Sequence, residues 1–174
     1  MKNKKLKGFT LVELLVVIAI LAVLATVSVV GYTSFITKAN NSNALTECKQ
    51  AEDIVLSDLI STGKEADAVK YAKVGDTTYE FKYSQGKGKV QITTATAPTG
   101  TTPTDIKTTF PDLAELAGSF TATTVTVGSG ESAKSSAALV YTTSNGKGNA
   151  VWVSENSPET YDLAKHGALP GTSN

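Results

Sequence analysis

The sequence contains no arginine, one cysteine and one histidine among its 174 residues. All 16 basic side chains are lysines and they equal the 16 acidic ones in number, so the formal net charge is zero. Proteins that bind nucleic acids normally present a basic face with bidentate arginines, so we expect no nucleic-acid partner. A single cysteine, Cys48, excludes an intrachain disulfide. Cys48 and His166 are too few for a Cys/His metal centre.

Aromatic residues are also scarce, at 7% of the chain, whereas serine and threonine together number 40. This polar composition favours β-structure. The sequence also shows no set of residues that would act together as nucleophile, base and acid. The two Gly-Lys-Gly segments, at 86–88 and 146–148, do not have the spacing of a phosphate-binding loop and indicate turns instead. We therefore expect neither an enzyme nor a protein with a cofactor or metal.

Charge is almost missing from a long segment near the N-terminus. Residues 1–8 read MKNKKLKG and carry four lysines, whereas Glu13 is the only charged residue in 9–37. The 17 residues of Leu14–Val30 contain nothing more polar than threonine and serine. Extended to 11–36, the apolar run is long enough to cross a bilayer. A basic flank before such a run places the N-terminus in the cytoplasm, so the remainder is expected on the outer side.

Three kinds of N-terminal segment have this pattern. A secretory signal peptide also joins a basic region to an apolar one, and Val23-Leu24-Ala25 would serve as its cleavage site. A plain membrane anchor is the second alternative. Neither accounts for Glu13, because a carboxylate deep in a bilayer costs about 2.5–3.5 kcal/mol. The third alternative is a precursor protein in which the Glu13 carboxylate has a functional role.

The segment Lys7-Gly8-Phe9-Thr10-Leu11-Val12-Glu13 resembles the cleavage and methylation motif of type IV pilins and pseudopilins. In that family a short basic leader ends in glycine, phenylalanine or methionine follows, and the fifth mature residue is glutamate. Gly8, Phe9 and Glu13 match these three requirements. The resemblance covers about the first third of the chain.

The resemblance implies how the precursor is processed. A prepilin peptidase would cut the Gly8–Phe9 bond on the cytoplasmic side and N-methylate the new amine of Phe9. The mature chain would then keep 12 lysines against 16 acids. The new α-amino cation, with a pKa near 8, is a natural partner for Glu13. Because residues four apart share a helix face, the pair can form within one chain, whereas the family places it between neighbouring subunits.

The pattern beyond the apolar run predicts an α+β fold. A long N-terminal helix over 9–61, ended by Thr62-Gly63, is expected to pack its second half on an antiparallel β-sheet head. The predicted domains are the leader 1–8, the transmembrane or filament-core half-helix 9–37, the amphipathic half-helix 38–61 and the head 62–174. The amphipathic half carries an apolar stripe with helical spacing: Ala44, Leu45, Cys48, Ala51, Val55, Leu56 and Leu59.

Alternating residues and glycine-rich turns predict the strands of the head. Two hairpins are expected, together with one further strand: Thr78–Ser84 with Lys89–Ala95, Ala137–Thr143 with Asn149–Ser154, and Phe120–Val127. The remaining segments are predicted to be a helical or irregular connector at 64–74, an exposed threonine-rich loop within 92–109 and a short helix at 111–117. Cys48 is expected to be buried and His166 to lie on the surface.

These features favour a structural subunit of a type IV pilus, used for adhesion, motility or biofilm formation. Its partners would be other copies of the subunit, the prepilin peptidase, the assembly platform with its cytoplasmic ATPase, and the membrane before assembly. It would be a single-pass membrane protein first and part of an extracellular filament afterwards. The all-lysine cations and missing disulfide fit a Gram-positive, clostridial-type pilin. The alternatives are a pseudopilin of a secretion or DNA-uptake machine, and an anchored adhesin or enzyme.

Overall fold

The computed structural model describes residues 9–63, 68–83, 89–127, 134–153 and 159–160. They form one long α-helix followed by two mainly antiparallel β-sheets, which confirms the predicted α+β fold. The elements in chain order are α1 (Leu11–Gly63), β1 (Ala68–Val74), β2 (Thr77–Tyr83), β3 (Val90–Thr94), β4 (Thr104–Asp105), α2 (Ile106–Thr109), a 3₁₀ helix (Pro111–Glu115), β5 (Ser119–Val127), β6 (Lys134–Thr142), β7 (Asn149–Val153) and β8 (Glu159–Thr160).

Helix α1 is 53 residues long, or about 80 Å at 1.5 Å per residue. It ends at the predicted Thr62-Gly63 stop, but it begins at Leu11 and not at the predicted residue 9, because Thr10 caps it. It stays helical through the segment 26–33, although β-branched residues and Gly31 are poor helix formers. The hydroxyl groups of Thr26 and Ser28 donate to the carbonyl oxygens of Val23 and Leu24, at 2.7 and 2.8 Å. Side-chain hydroxyls are therefore satisfied within the helix itself.

The chain divides into two compact units, one through Lys38 and one from Ala39 onward. In the first unit every described side chain from Phe9 to Lys38 is exposed. In the second unit α1 is amphipathic, and the predicted stripe is buried. Its fully buried members, each 0% exposed, are Ala44, Cys48, Ala51, Val55 and Leu59. Leu45 and Leu56 are partly buried against the same core.

The first sheet has the strand order β3-β2-β1-β4. The predicted hairpin of β2 and β3 is confirmed, with Phe81 opposite Ile92. The prediction of a helical or irregular connector at 64–74 is wrong for 68–74, because these residues form β1 and pair with β2 along their whole length. A tight turn at Gly75-Asp76, with Gly75 at φ 60°, joins the two strands. β4 pairs with β1 in parallel.

The second sheet is antiparallel throughout, with the order β5-β6-β7-β8. It contains the predicted strand near 120–127 and the predicted hairpin of β6 and β7. Gly146, at φ 68°, lies in the turn of that hairpin, where its N–H donates to the Thr143 carbonyl at 2.8 Å. The head thus holds two sheets where one was expected.

The connection between the sheets is more ordered than an exposed loop. Within 92–109 the prediction of a loop is wrong for β4 and α2, because Ile106 is buried in the core. Asp105 caps α2 by accepting the N–H of Lys107 at 2.9 Å. The predicted helix at 111–117 is the shorter 3₁₀ helix. The turn residues 85–88 and His166 lie outside the described residues.

One hydrophobic core joins α1 to both sheets. Phe81 of the first sheet contacts Trp152 of the second, with ring centroids 6.0 Å apart, and Phe110 at 5.2 Å, both edge-on. Cys48 and Leu59 of the helix stripe belong to the same cluster. The helix is therefore part of the head, and its removal would open the core of both sheets.

The turn of the β6–β7 hairpin also contacts α1 directly. The backbone N–H of Asn149 donates to Oδ1 of Asn41 at 3.2 Å. Gly148 packs so closely on the carbonyl group of Asn40 that a Cβ at this position would overlap with it. A glycine is required here by the close approach of the helix backbone.

Candidate processing and assembly site

The residues named by the sequence motif meet at the N-terminal end of α1. Phe9 and Thr10 are not helical, and the helix begins at Leu11. The hydroxyl and the backbone N–H of Thr10 both donate to Oε2 of Glu13, each at 2.8 Å. In return the N–H of Glu13 donates to the Thr10 hydroxyl at 3.3 Å. This reciprocal arrangement is a capping box.

The capping box explains why the helix starts where it does. The first four N–H groups of a helix have no partner within it, and Thr10 satisfies one of them. The Glu13 carboxylate also lies in the first turn, where the positive end of the helix dipole favours a negative charge. Glu13 therefore has a local structural role in the single chain, in addition to any role toward a neighbour.

Thr10 is the participant that the sequence interpretation missed. The signal was present, because Thr-x-x-Glu directly before an apolar run is the sequence signature of a capping box. The structure brings Thr10 and Glu13 together, and Gly8 lies outside the described residues.

The geometry at Phe9 suits chemistry on its backbone. Phe9 is 88% exposed and precedes the first helical residue, so its peptide nitrogen is not held in the helix. The helix begins at Leu11, two residues after Phe9, and the capping box is formed by Thr10 and Glu13 alone.

The helix behind this site carries an exposed apolar surface. From Leu11 to Ile36 the large aliphatic and aromatic side chains that the structure describes are 37–79% exposed. By length and composition α1 is able to cross a membrane. Such a surface in water would be far larger than a soluble monomer tolerates, so it needs lipid or other protein around it.

Polar groups elsewhere in the described ranges do not form an alternative centre. Among these residues, no three His, Cys, Asp or Glu side chains lie close enough together to hold a metal ion. Burial raises the pKa of the Cys48 thiol to about 12, with a smaller contribution from Glu52, so the thiol is neutral and unreactive at physiological pH. Cys48 behaves as a small apolar residue, as the sequence predicts.

Comparison with known proteins gives one match. Residues 3–29 match the protein-family model described as the prokaryotic N-terminal methylation motif. The match includes Gly8, Phe9, Thr10 and Glu13. Searches of curated proteins and of solved structures found no match. At its N-terminus the chain is thus similar to type IV prepilin-like precursors of pilins and pseudopilins, and its apolar helix fits a membrane-anchored precursor.

Proposed function

We propose that this protein is the precursor of a structural subunit of a type IV pilus. The observation that carries the proposal is the methylation motif at the capped start of an exposed apolar helix. The motif implies processing by a prepilin peptidase and polymerisation. The exposed helix supplies the surface that lipid covers before assembly and other subunits cover afterwards.

Processing removes residues 1–8. Water adds across the Gly8–Phe9 amide, the leader leaves with a C-terminal carboxylate on Gly8, and Phe9 gains a free α-amine. A sulfonium methyl donor then transfers its methyl group to that amine: the new N–C bond forms as the S–C bond breaks, the donor leaves as a neutral thioether, and the amine loses one proton. The product keeps the helix cap, since Thr10 and Glu13 are both in the mature chain. The domains that result are 9–37 in the membrane or filament core, 38–61 against the head, and the head 62–174.

Assembly uses Glu13. Both hydrogen bonds from Thr10 fall on Oε2, and an ionised carboxylate has acceptor sites on both of its oxygens. Glu13 can therefore keep its hydrogen bonds to Thr10 and still accept a hydrogen bond from the α-amino cation of Phe9 in a neighbouring subunit. The attraction is strong in the low dielectric of lipid or a filament core. It makes docking onto a neighbour more favourable than remaining alone in the membrane.

The head favours a pilus over a pseudopilus. The head contains two four-stranded sheets and a threonine-rich connection, in which most residues from Thr99 to Asp105 are exposed. The mature chain carries 12 lysines against 16 acids, which gives no electrostatic support for a DNA-uptake subunit. An exposed, hydroxyl-rich head suits a filament that faces the surroundings of the cell and contacts surfaces or other cells.

Mass spectrometry of sheared surface filaments tests the proposal. The subunit is expected to start at Phe9 and to be heavier than the unmodified 9–174 chain by one CH2, the net gain when a methyl group replaces a hydrogen. An intact leader, or a start after Ala25, would refute it. Immunogold labelling of intact cells separates the two filament types: long labelled fibres are expected for a pilus, and label confined to the envelope would identify a pseudopilin.

A further inference from the structure

The first sheet presents a second face, opposite the core that it shares with α1. Successive residues of a strand point to opposite faces, so the residues between the buried ones of β1 and β2 point away from the core. All of them are at least partly exposed. This outward set consists of Val69, Tyr71, Lys73, Thr78, Glu80 and Lys82. The outer face is therefore a surface of the head.

Tyr71 and Glu80 are directly opposite each other on this outer face. The hydroxyl group of Tyr71 donates to Oε2 of Glu80 at 2.7 Å, which restricts the orientation of the ring. Val69, two residues earlier on the same strand, is 40% exposed and adds apolar surface. A tyrosine side chain has only two torsion angles to fix on binding, and here a hydrogen bond already limits them. The pair is a preorganised aromatic ring beside a carboxylate.

A groove lies at the end of the same two strands. In the strand order β3-β2-β1-β4, the connection from β3 to β4 passes the ends of β2 and β1. Between this connection and the turn at Gly75-Asp76 there is a groove of about 710 Å³, which is within the usual size of a ligand site. Its lining is rich in polar side chains: Asp76, Thr77, Thr78, Thr94, Thr96 and Thr101.

The wall that the connection forms is held by backbone hydrogen bonds. The N–H of Ala95 donates to the carbonyl oxygen of Thr78 at 3.1 Å, which ties the start of the connection to β2. The N–H of Thr101 donates to the carbonyl oxygen of Pro98 at 3.0 Å and closes a turn within the connection. The hydroxyl groups of the groove are therefore presented by ordered backbone.

The groove is continuous with the Tyr71–Glu80 pair. Thr78 lines the groove and also lies on the outer face, two residues before Glu80. Two residues of a strand span about 7 Å, so the polar lining begins about 7 Å from the pair. Together the pair and the groove form one surface, here called the outer strip.

Charges on the outer strip are mixed. Lys73 and Lys82 lie one step along the strands on either side of Glu80, and Asp76 lies in the groove. None of the described residues that line the groove is a lysine. A polyanion such as a nucleic acid would therefore find no continuous basic track here.

We propose that the outer strip binds a neutral polysaccharide, with one sugar ring on Tyr71 and the following units in the groove. A sugar ring with equatorial hydroxyl groups exposes an apolar C–H face, which fits an aromatic ring. Its hydroxyl groups both donate and accept hydrogen bonds, as the threonine hydroxyls of the groove also do. The carboxylates of Glu80 and Asp76 are acceptors for pairs of adjacent sugar hydroxyls.

A filament would strengthen the binding. Many copies of the head along one fibre convert weak single contacts into strong attachment to a polymer with repeating units. This avidity rests on the proposed function, because only assembly repeats the head. Binding by a single chain does not, so a titration of single chains and mass spectrometry of filaments can fail independently.

Isothermal titration of the full-length chain with cellohexaose, a neutral oligomer of β-linked glucose, tests the proposal. The chain is kept in micelles of a detergent without a sugar headgroup, so that the detergent does not compete. Tyr71→Ala should weaken binding at least about tenfold, because the ring contact is lost. Tyr71→Phe keeps the ring and should bind within about threefold of the wild type. Wild-type affinity in Tyr71→Ala would overturn the proposal.

A pair of lysine variants tests the groove separately. Thr96→Lys places a long side chain in the groove and should weaken binding at least about tenfold. Thr108→Lys adds the same side chain at an exposed position of α2 outside the lining and should leave the affinity unchanged. Circular dichroism melting verifies that each variant is folded. Equal affinities of these two variants would show that the groove takes no part in binding.

The class of ligand is tested with the matched hexamer of β-linked glucuronic acid, which carries a carboxylate on every ring. It should bind at least about tenfold more weakly than cellohexaose, since the outer strip has no excess of positive charge. Equal or tighter binding of the acidic hexamer would assign the outer strip to polyanions. Binding of neither hexamer would exclude a carbohydrate site. Either result overturns the proposal.

Discussion

The hydroxyl group of Tyr141 donates a hydrogen bond to the carboxylate of Glu47 on α1 and accepts the backbone N–H of Gly118 at 3.0 Å. A single oxygen atom thus joins the helix, strand β6 and the segment that enters β5. Burial, followed by the bond to Glu47, raises the pKa of the Tyr141 hydroxyl well above its ordinary value. The phenol therefore stays protonated and can act as this donor at any physiological pH.

Tyr141→Phe should destabilise the folded chain by about 1–3 kcal/mol, because the N–H of Gly118 loses its acceptor. The ring contact with Phe120, at 5.0 Å between centroids, would remain. Tyr71→Phe is the matched control, since the Tyr71 hydroxyl also donates to a carboxylate, that of Glu80, but at a half-buried position and without accepting a backbone N–H. Thermal unfolding of the full-length chain in micelles measures both. Equal melting temperatures for the two variants would show that the hydrogen bonds of the Tyr141 hydroxyl stabilise the fold no more than the single bond of Tyr71.

Leu59→Asp should unfold the head or cost at least about 3 kcal/mol, because Leu59 is 0% exposed and the change adds a cavity and a charge. Ile60→Asp introduces the same charge one residue later, where the side chain is 50% exposed, and should have little effect. Circular dichroism melting compares the two. If Leu59→Asp melted like Ile60→Asp, α1 would not pack on the head at this point.

Glu13→Gln should block filament assembly while it preserves the helix cap. Glutamine serves in a capping box as well as glutamate does, so only the charge is lost. Insertion and leader cleavage should be unaffected, since a neutral side chain is cheaper to place in lipid. Immunoblots should then show a cleaved subunit in the membrane fraction and little in the sheared-fibre fraction. Glu13→Ala should behave alike, and Glu13→Asp should be intermediate.

Thr10→Val separates the two roles of Glu13. It removes the hydroxyl that caps α1 at nearly constant volume and leaves the carboxylate charged. Near wild-type fibre yield is expected, because the electrostatic attraction to a neighbour remains. If Thr10→Val and Glu13→Gln reduced fibre yield equally, or if Glu13→Gln assembled normally, the assembly role proposed for Glu13 would be wrong.

The stability of the head should depend on the protonation of Glu52. Burial raises the pKa of this carboxyl above its ordinary 4.5, against the opposing effect of Lys89. The folded chain thus holds the proton more tightly than the unfolded chain. The resulting stabilisation is complete below pH 4.5 and is lost as the pH rises through the raised folded-state value.

Glu52→Gln should flatten the stability profile in this pH window and raise the melting temperature slightly at neutral pH. Asp53→Asn removes one negative charge from the same helix at an exposed position. Because Asp53 itself helps to raise the pKa of Glu52, this variant should narrow the pH-dependent window without abolishing it. Melting temperatures measured between pH 4 and 7 provide the comparison. If the melting temperature of Glu52→Gln depended on pH in the same way as that of the wild type, other groups would be responsible for the dependence.

The sequence predicted the elements whose periodicity is strong. The stripe from Ala44 to Leu59 repeats at helical spacing because one helix face is buried, and all its central members are in the core. The β6–β7 hairpin was predictable because Gly146 marks the turn between alternating strands. These signals are local, so they can be found without knowledge of the rest of the fold.

Three other features were missed for different reasons. β1 reads AVKYAKV, whose alanines and lysines give a weak strand signal, and its register with β2 comes from a tight turn at Gly75-Asp76 that went unnoticed. The division into two sheets could not be predicted, because it depends on long-range packing such as that of Phe81 on Trp152. The role of Thr10 was predictable in principle, because Thr-x-x-Glu before an apolar run is the local signature of a capping box.

The contact between Phe81 and Trp152 has a consequence for folding. The two rings belong to different sheets, yet both lie in the cluster that contains the α1 stripe. Neither sheet therefore has a core of its own on this side, and neither is a self-sufficient folding unit. The head should fold and unfold cooperatively, so that local damage to one sheet, by oxidation or proteolysis, also weakens the other.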